Sequence, residues 1–128
     1  MNTIVNITKK EPTLRIRRKD INTNGEIFPH ILLELLENAV LTPVRILEHD
    51  YEVTAKRSSC VYKVDIIGKA IPGDELKVHT QLGKFDSQTA ILNIQIMKKD
   101  KKNRQAPICK ASFSYKLENN LAIDKIAS

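Results

Sequence analysis

Four polar side chains that could support acid–base or nucleophilic chemistry fall between positions 20 and 37. Asp20 and Asn22 lie in the Gly-containing stretch DINTNGE, while His30 and Glu37 follow in the apolar stretch FPHILLELLENAV. A carboxylate held beside a substrate can act as a base on water or as a nucleophile. The alternative is structural, because Asp20 or Asn22 can also satisfy backbone donors in a turn.

The element that must carry two of these side chains is an amphipathic helix. Apolar residues recur at three- and four-residue steps, which predicts a helix over about 13 residues. The stripe consists of Phe28, Ile31, Leu32, Leu35, Leu36, Ala39 and Val40. Pro29 fits the first turn, where its missing N–H costs little, and Pro43 is expected to end or redirect the helix. Backbone N–H groups at such a start can polarise a carbonyl or hold an anion.

Glu37 lies nearly opposite the apolar stripe, beside His30 and Leu33. A face of this kind is usually solvated. Leu33 in its middle indicates instead that the face is partly covered, as it would be by a partner subunit. A carboxylate held there is a candidate base, and His30 is a candidate for orienting a substrate.

The remaining elements are strands. TLRIRR precedes the loop, and CVYKVDII, LKVHTQL, TAILNIQIM and APICKASFSYKL follow the helix, separated by turn sequences. Residues 44–58 fit either a helix extension or a short strand or loop. The order predicts a single α+β domain over residues 1–128, with a core at about 12–117 and poorly ordered tails at 1–11 and 118–128. Open sheet edges point to pairing with a second copy.

Composition limits the classes of partner. The chain has 128 residues, of which 41% are hydrophobic, and a net charge of +6. The positive charge favours anionic partners. The basic residues form two groups, Arg15 to Lys19 and Lys98 to Arg104. Aromatic residues are not interleaved with them, which disfavours nucleic acid. Either group could bind the phosphates of a nucleotide-bearing thiol cofactor.

Targeting and metal signals are weak. The first residues lack the apolar core of a signal peptide, and no run approaches the length of a membrane span. A cytoplasmic protein that does not contact a membrane is therefore expected. Cys60 and Cys109 have no metal-type spacing, so buried free thiols and no metal site are predicted.

The stretch DINTNGEIFPHILLELLENA resembles the signature of hot-dog-fold acyl-CoA thioesterases of the 4-hydroxybenzoyl-CoA thioesterase superfamily. The family loop reads Asp-x-Asp-x-x-Gly, and its helix ends in an acidic residue, x and Ala. Asp20 and Gly25 fit the loop, and Glu37 and Ala39 follow without a gap. Downstream, GKAIPGDELKV resembles the Gly-Asp turn between two family strands. The resemblance implies a hot-dog fold, in which a long helix is wrapped by about five or six antiparallel strands.

Three departures from the family pattern affect the chemistry. Asn22 replaces the second Asp, which is often the nucleophile or base, and Glu26 replaces the His that often follows Gly. The helix-start N–H that polarises the thioester carbonyl in some members falls on Pro29, so the N–H of His30 is its substitute. Glu37 is the remaining matching carboxylate.

The resemblance therefore implies a thioester hydrolase that releases a free acid and a thiol. Glu37 would act as base or nucleophile, Asn22 would orient water or substrate, and Asp20 would hold the loop. The residues expected to contact the substrate are Gly25, Phe28, His30, Arg57 and Ser58. The substrate is an acyl-CoA or acyl carrier protein thioester, with CoA as part of it and no separate cofactor.

Two further implications concern assembly and alternatives. The resemblance implies a homodimer or homotetramer with active sites at the dimer interface. A non-catalytic protein that binds acyl-CoA or acyl carrier protein on the same fold is the second hypothesis. A hot-dog dehydratase ranks last, because His30 is its only helix candidate.

Overall fold

The computed structural model describes residues 13–120, which form one long helix and five strands. The elements are β1 (Thr13–Arg15), a 3₁₀ turn (Arg18–Asp20), α1 (Pro29–Tyr51), β2 (Val53–Ile66), β3 (Glu75–Phe85), β4 (Thr89–Lys99) and β5 (Gln105–Asn119). The strands form one antiparallel sheet in the order β1-β3-β4-β5-β2. This confirms the predicted α+β class with one helix on an antiparallel sheet.

The predicted end of the helix at Pro43 is wrong. Helix α1 spans 23 residues and contains Pro43, which is itself buried. The apolar stripe continues through Val44 and Leu47, which are 3% and 2% exposed. Packing of this second half against the sheet offsets the backbone hydrogen bond that a proline removes. Glu52, with a φ of 52°, ends the helix, and the ambiguous segment 44–58 is thus a helix extension that leads into β2.

The core lies between α1 and the inner face of the sheet. Leu36 of α1 and Leu92 and Ile96 of β4 are fully buried there. The alternating residues of APICKASFSYKL predict an inward face for β5, and this face is confirmed, since Cys109, Ala111, Phe113, Tyr115 and Leu117 are all buried. Burial of this aliphatic surface is the main force that holds the helix on the sheet.

The connection between β2 and β3 is fixed by two small features. Gly68 passes so close to β5 that an added Cβ would lie 2.8 Å from the carbonyl oxygen of Pro107. Asp74 is 2% exposed, and its carboxylate accepts a hydrogen bond from the N–H of Ile71 at 3.0 Å. The Gly-Asp turn expected here is therefore a tight connection, closed by a hydrogen bond of its own.

Strand β2 forms one edge of the sheet and leaves apolar side chains uncovered. Its first residues, Val53 and Ala55, are buried under α1, but Val61, Tyr62 and Ile66 are 71%, 60% and 58% exposed. The opposite edge is the three-residue strand β1. The long edge is thus the more suitable one for pairing with another strand.

Some predictions concern the chain ends and the cysteines. The predicted tails lie outside the described residues, except that β5 continues to Asn119. Cys109 is buried, whereas Cys60 is half-buried rather than fully buried, and both thiols are free. Within residues 13–120, no helix has both the length and the apolar character needed to cross a bilayer.

Candidate functional site

The loop that precedes α1 is closed by backbone hydrogen bonds. Ile21 and Ile27 form an isolated antiparallel bridge, and the N–H of Asn22 donates to the carbonyl of Glu26 at 2.8 Å. Gly25 has a φ of 78°, in the left-handed region that favours glycine. The sequence NTNGE therefore forms a compact turn that returns the chain to the helix start.

Asp20 joins this loop to the residues on either side of it. The side chain is 7% exposed, and its carboxylate accepts a hydrogen bond from the N–H of Arg17 at 2.8 Å. Its carbonyl oxygen accepts a second one from the N–H of Phe28 at 3.0 Å. Asp20 thus has the contacts of a residue that holds the loop.

The two ends of the Asn22 side-chain amide face different surroundings, with the oxygen in the loop and the nitrogen directed away from it. Its Oδ1 accepts hydrogen bonds from the N–H groups of Asn24 at 2.9 Å and Glu26 at 3.0 Å. These two donors identify the oxygen of the amide, so its Nδ2 group is the end that points away from the turn. Asn22 can donate to a carbonyl or a water molecule, but it cannot accept a proton as a base.

The helix start supplies a second donor. Pro29 is the first helical residue and has no N–H. Among residues 13–120, no backbone acceptor pairs with the N–H of His30. The ring of His30 lies against Phe28, with centroids 5.5 Å apart. The substitute donor expected from the sequence is thus present at the helix start.

A cleft of about 350 Å³ opens beside this junction. We call it the junction cleft. Its walls include Asn22, Pro29, Leu32, Ile67, Lys69 and Ile108. Most of the walls are apolar, and Asn22, Glu26 and Lys69 add polar groups, which suits a ligand that has an apolar chain and a polar head.

Glu37 lies outside the junction cleft in a single chain. It is exposed on α1, about 12 Å along the helix axis from Pro29. Leu33 and Leu41, one turn before and after it, are 37% and 43% exposed. The carboxylate therefore lies between two uncovered apolar side chains, and the fold of one chain does not bring it to Asn22.

Arg57 and Ser58 lie near the other end of α1. The guanidinium of Arg57 donates to both carboxylate oxygens of Glu48, at 3.0 and 3.2 Å. This hydrogen bonding is the main reason that the pKa of Glu48 is below its ordinary value. Ser58 is exposed in β2 between Lys56 and Val61, where the register with β5 shifts. A single chain does not bring this pair to the junction cleft.

The sequence reasoning missed the wall of the junction cleft that comes from the end of β2. Ile66, Ile67, Gly68 and Lys69 line it, and the N–H of Ile67 donates to the carbonyl of Ile108 at 2.9 Å. The available signal was the run IIGK directly before the Gly-Asp turn. A glycine directly after a run of strand residues often marks a close approach of backbone to backbone.

A larger depression, of about 400 Å³, lies on the outer face of the sheet. Polar side chains such as His79, Gln95 and Lys110 line it, and none of the predicted site residues does. We take the smaller junction cleft as the candidate site, because the helix start and the amide of Asn22 meet there. In the described part of the chain, no cluster of His, Cys, Asp or Glu is arranged to hold a metal ion.

Comparison with known proteins gives a match in structure but not in sequence. No protein-family model and no curated protein matches this chain. The 4-hydroxybenzoyl-CoA thioesterase from Pseudomonas sp. strain CBS-3 matches with a TM-score of 0.63 and 14% identity, over 87% of this chain and 85% of that one. A hexameric thioesterase from Yersinia pestis matches with a TM-score of 0.60 and 16% identity, over 88% and 89%.

A third similar structure is described as a hypothetical thioesterase with coenzyme A from Streptococcus pneumoniae. It has a TM-score of 0.63 and 15% identity, over 84% of this chain and 76% of that one. At these identities the likeness concerns the fold. The chain has the hot-dog fold, with one long helix packed on a five-stranded antiparallel sheet.

Proposed function

We propose that this chain is an acyl-CoA thioesterase-like hydrolase that cleaves an acyl thioester to a free acid and a thiol. The observation that carries the proposal is the junction cleft, whose largely apolar walls include Asn22 and the first helical residue, Pro29. Solved structures with the same fold are described as thioesterases, and one of them contains coenzyme A. The acyl group would lie along the apolar walls, with its carbonyl near Asn22 and the helix start.

The proposed reaction is addition of water followed by loss of the thiol. Glu37 removes a proton from water, whose oxygen forms a bond to the thioester carbon. The N–H of His30 and the Nδ2 of Asn22 donate to the oxygen that becomes negative. The C–S bond then breaks, and the thiolate leaves and takes up a proton. Direct attack by the carboxylate of Glu37 is the alternative first step.

This mechanism requires a second copy of the chain, because Glu37 lies outside the junction cleft of its own chain. The exposed leucines beside Glu37 and the exposed apolar edge of β2 are the surfaces that a second copy would cover. We propose a homodimer or a larger homo-oligomer. In it, the carboxylate from one copy faces the cleft of its neighbour.

Hydrolysis should be measured on short, long and aromatic acyl-CoA substrates, with detection of the free thiol. Glu37→Gln is expected to lower kcat by about 100-fold or more, because it removes the general base. Glu34→Gln is the matched control, since Glu34 is another exposed glutamate of α1 and should stay active. No turnover of any substrate would overturn the proposed hydrolysis, and a fully active Glu37→Gln protein would overturn the role of Glu37.

One observation favours a second candidate function, binding without catalysis. Asn22 has its oxygen committed to the loop and cannot act as an acid or base. On this alternative, acyl-CoA or acyl carrier protein raises the melting temperature without product release. Thiol release during the same melting experiment would exclude it.

A further inference from the structure

Two basic segments that are far apart in the sequence meet at one corner of the sheet. Arg15 of β1 lies opposite Glu75 of β3, and Glu75 lies opposite Lys99 of β4. Directly opposed residues of antiparallel strands have their Cβ atoms about 5 Å apart. Arg15 from the first basic group and Lys99 from the second therefore lie on either side of Glu75 at one corner of the sheet.

A cleft of about 340 Å³ opens at this corner. We call it the basic cleft. Its walls include Arg15, Gly73, Glu75, Lys99, Lys101 and Asn103. Three of these side chains are cationic, and the amide of Asn103 adds hydrogen-bonding groups.

The shape of the basic cleft depends on Gly73. Its φ is 95°, and an added Cβ would lie 2.8 Å from Cε and 3.5 Å from Nζ of Lys101. The side chain of Lys101 therefore extends across the glycine into space that any other residue would fill. The N–H of Gly73 donates to the carbonyl of Ile16 at 2.9 Å, which fixes this wall.

The carboxylates that line the basic cleft do not cancel its positive charge. Asp100 also lines the cleft, but its oxygens accept the backbone N–H groups of Lys102 and Arg104 at 2.8 and 2.9 Å and the Nε of Arg104 at 2.8 Å. Glu75 is then the one lining carboxylate set against the charges of Arg15, Lys99 and Lys101. The excess positive charge favours an anionic ligand.

We propose that the basic cleft binds the phosphate groups of a nucleotide. A guanidinium and two ammonium groups are strong donors to phosphate oxygens. The phosphates come from one of two sources: the nucleotide end of a CoA thioester, which rests on the proposed function, or a free nucleotide that binds independently of it.

The position of the basic cleft suits the first source. Lys69 lines the junction cleft and Gly73 lines the basic cleft. Three residues of chain lie between them, so their Cα atoms are at most about 14 Å apart. The Nζ of Lys98 donates to the carbonyl of Lys69 at 2.7 Å and ties the two regions together. One extended ligand could therefore occupy both clefts.

The binding test uses calorimetric titration at low ionic strength with adenosine 3′,5′-bisphosphate and with inorganic pyrophosphate. The double variant Lys99→Ala/Lys101→Ala should bind both about tenfold more weakly or worse, since it loses charge-assisted contacts. The control Lys110→Ala/Lys116→Ala removes two exposed lysines of β5 and should bind as the unmodified protein does. Absence of saturable binding, or equal weakening in the control, would overturn the proposal.

A kinetic arm separates the two sources of phosphate. Acyl-CoA is compared with the matching acyl-pantetheine, which has no phosphates. If the phosphates belong to the substrate, Lys99→Ala/Lys101→Ala raises KM for acyl-CoA alone and leaves kcat unchanged. If they belong to a free nucleotide, both substrates are unaffected while the titration still loses binding. The titration measures binding even when no thioester is hydrolysed. Failure of the proposed hydrolysis can therefore be distinguished from failure of the proposed phosphate binding.

Discussion

The side-chain oxygen of Asn22 accepts two backbone hydrogen bonds within the turn, and its amino group points away from the turn. A carboxylate at the same position could accept the same two backbone donors, because Asp and Asn have the same shape. It would lose the ability to donate to a developing oxyanion. The two residue types therefore support different roles on one unchanged loop.

Asn22→Asp should keep the fold and lower kcat by about 100-fold, because it removes an oxyanion donor. Steady-state thiol release at pH 7 and a thermal melt together measure both properties. A gain in kcat would contradict the assignment. It would indicate that a loop carboxylate, rather than Glu37, is the effective base on this fold.

Asp20 has a structural role that can be tested separately. Asp20→Ala leaves the partly buried N–H of Arg17 without its acceptor and should lower the free energy of unfolding by about 1 kcal/mol. Asp20→Asn keeps an acceptor oxygen and should be closer to the unmodified protein. Urea unfolding monitored by circular dichroism measures both. Equal stability of Asp20→Ala and the unmodified protein would show that the hydrogen bond does not hold the loop.

At the scale of elements, the sequence predicted the inward faces of β3 and β5 and the start of the helix but not its end. Alternation in β3, β4 and β5 is visible in the sequence because one face of each strand packs on α1. The extension of α1 past Pro43 depends on tertiary packing of Val44 and Leu47. Such packing cannot be inferred from the residues that lie next to Pro43 in the sequence. The hydrogen-bond partner of Arg57 could not be predicted either, because Glu48 belongs to residues 44–58, whose sequence fits either a helix extension or a short strand or loop.

The pair of Glu48 and Arg57 connects the end of α1 to β2, and its contribution should depend on pH. Arg57 lowers the pKa of Glu48, so the stabilisation is complete above the ordinary value of 4.5 and is lost as the pH falls through the lower folded value. Glu48→Gln should therefore lower stability at pH 7 by at most about 1 kcal/mol. The difference from the unmodified protein should shrink at pH 3, and thermal melts at the two pH values measure it. An equal difference at both would contradict the charged pair.

At the scale of the whole molecule, one chain holds the parts of the proposed site apart. Asn22 and Pro29 border the junction cleft, whereas Glu37 lies on the exposed face of α1 with Leu33 and Leu41. The residue types could be compared with a family pattern from the sequence alone, because the pattern covers neighbouring positions of one loop and one helix. It could not give their arrangement in space, because that arrangement depends on how copies pack.

The most direct measurement of a shared site is complementation between two inactive variants. Glu37→Gln and Asn22→Asp chains carrying different tags are co-expressed, and the mixed oligomer is purified through both tags. If each site takes Glu37 from one copy and Asn22 from the other, a mixed dimer has one intact site and should show about half the unmodified activity. A mixed dimer as inactive as either variant alone would contradict a site shared between copies of this chain.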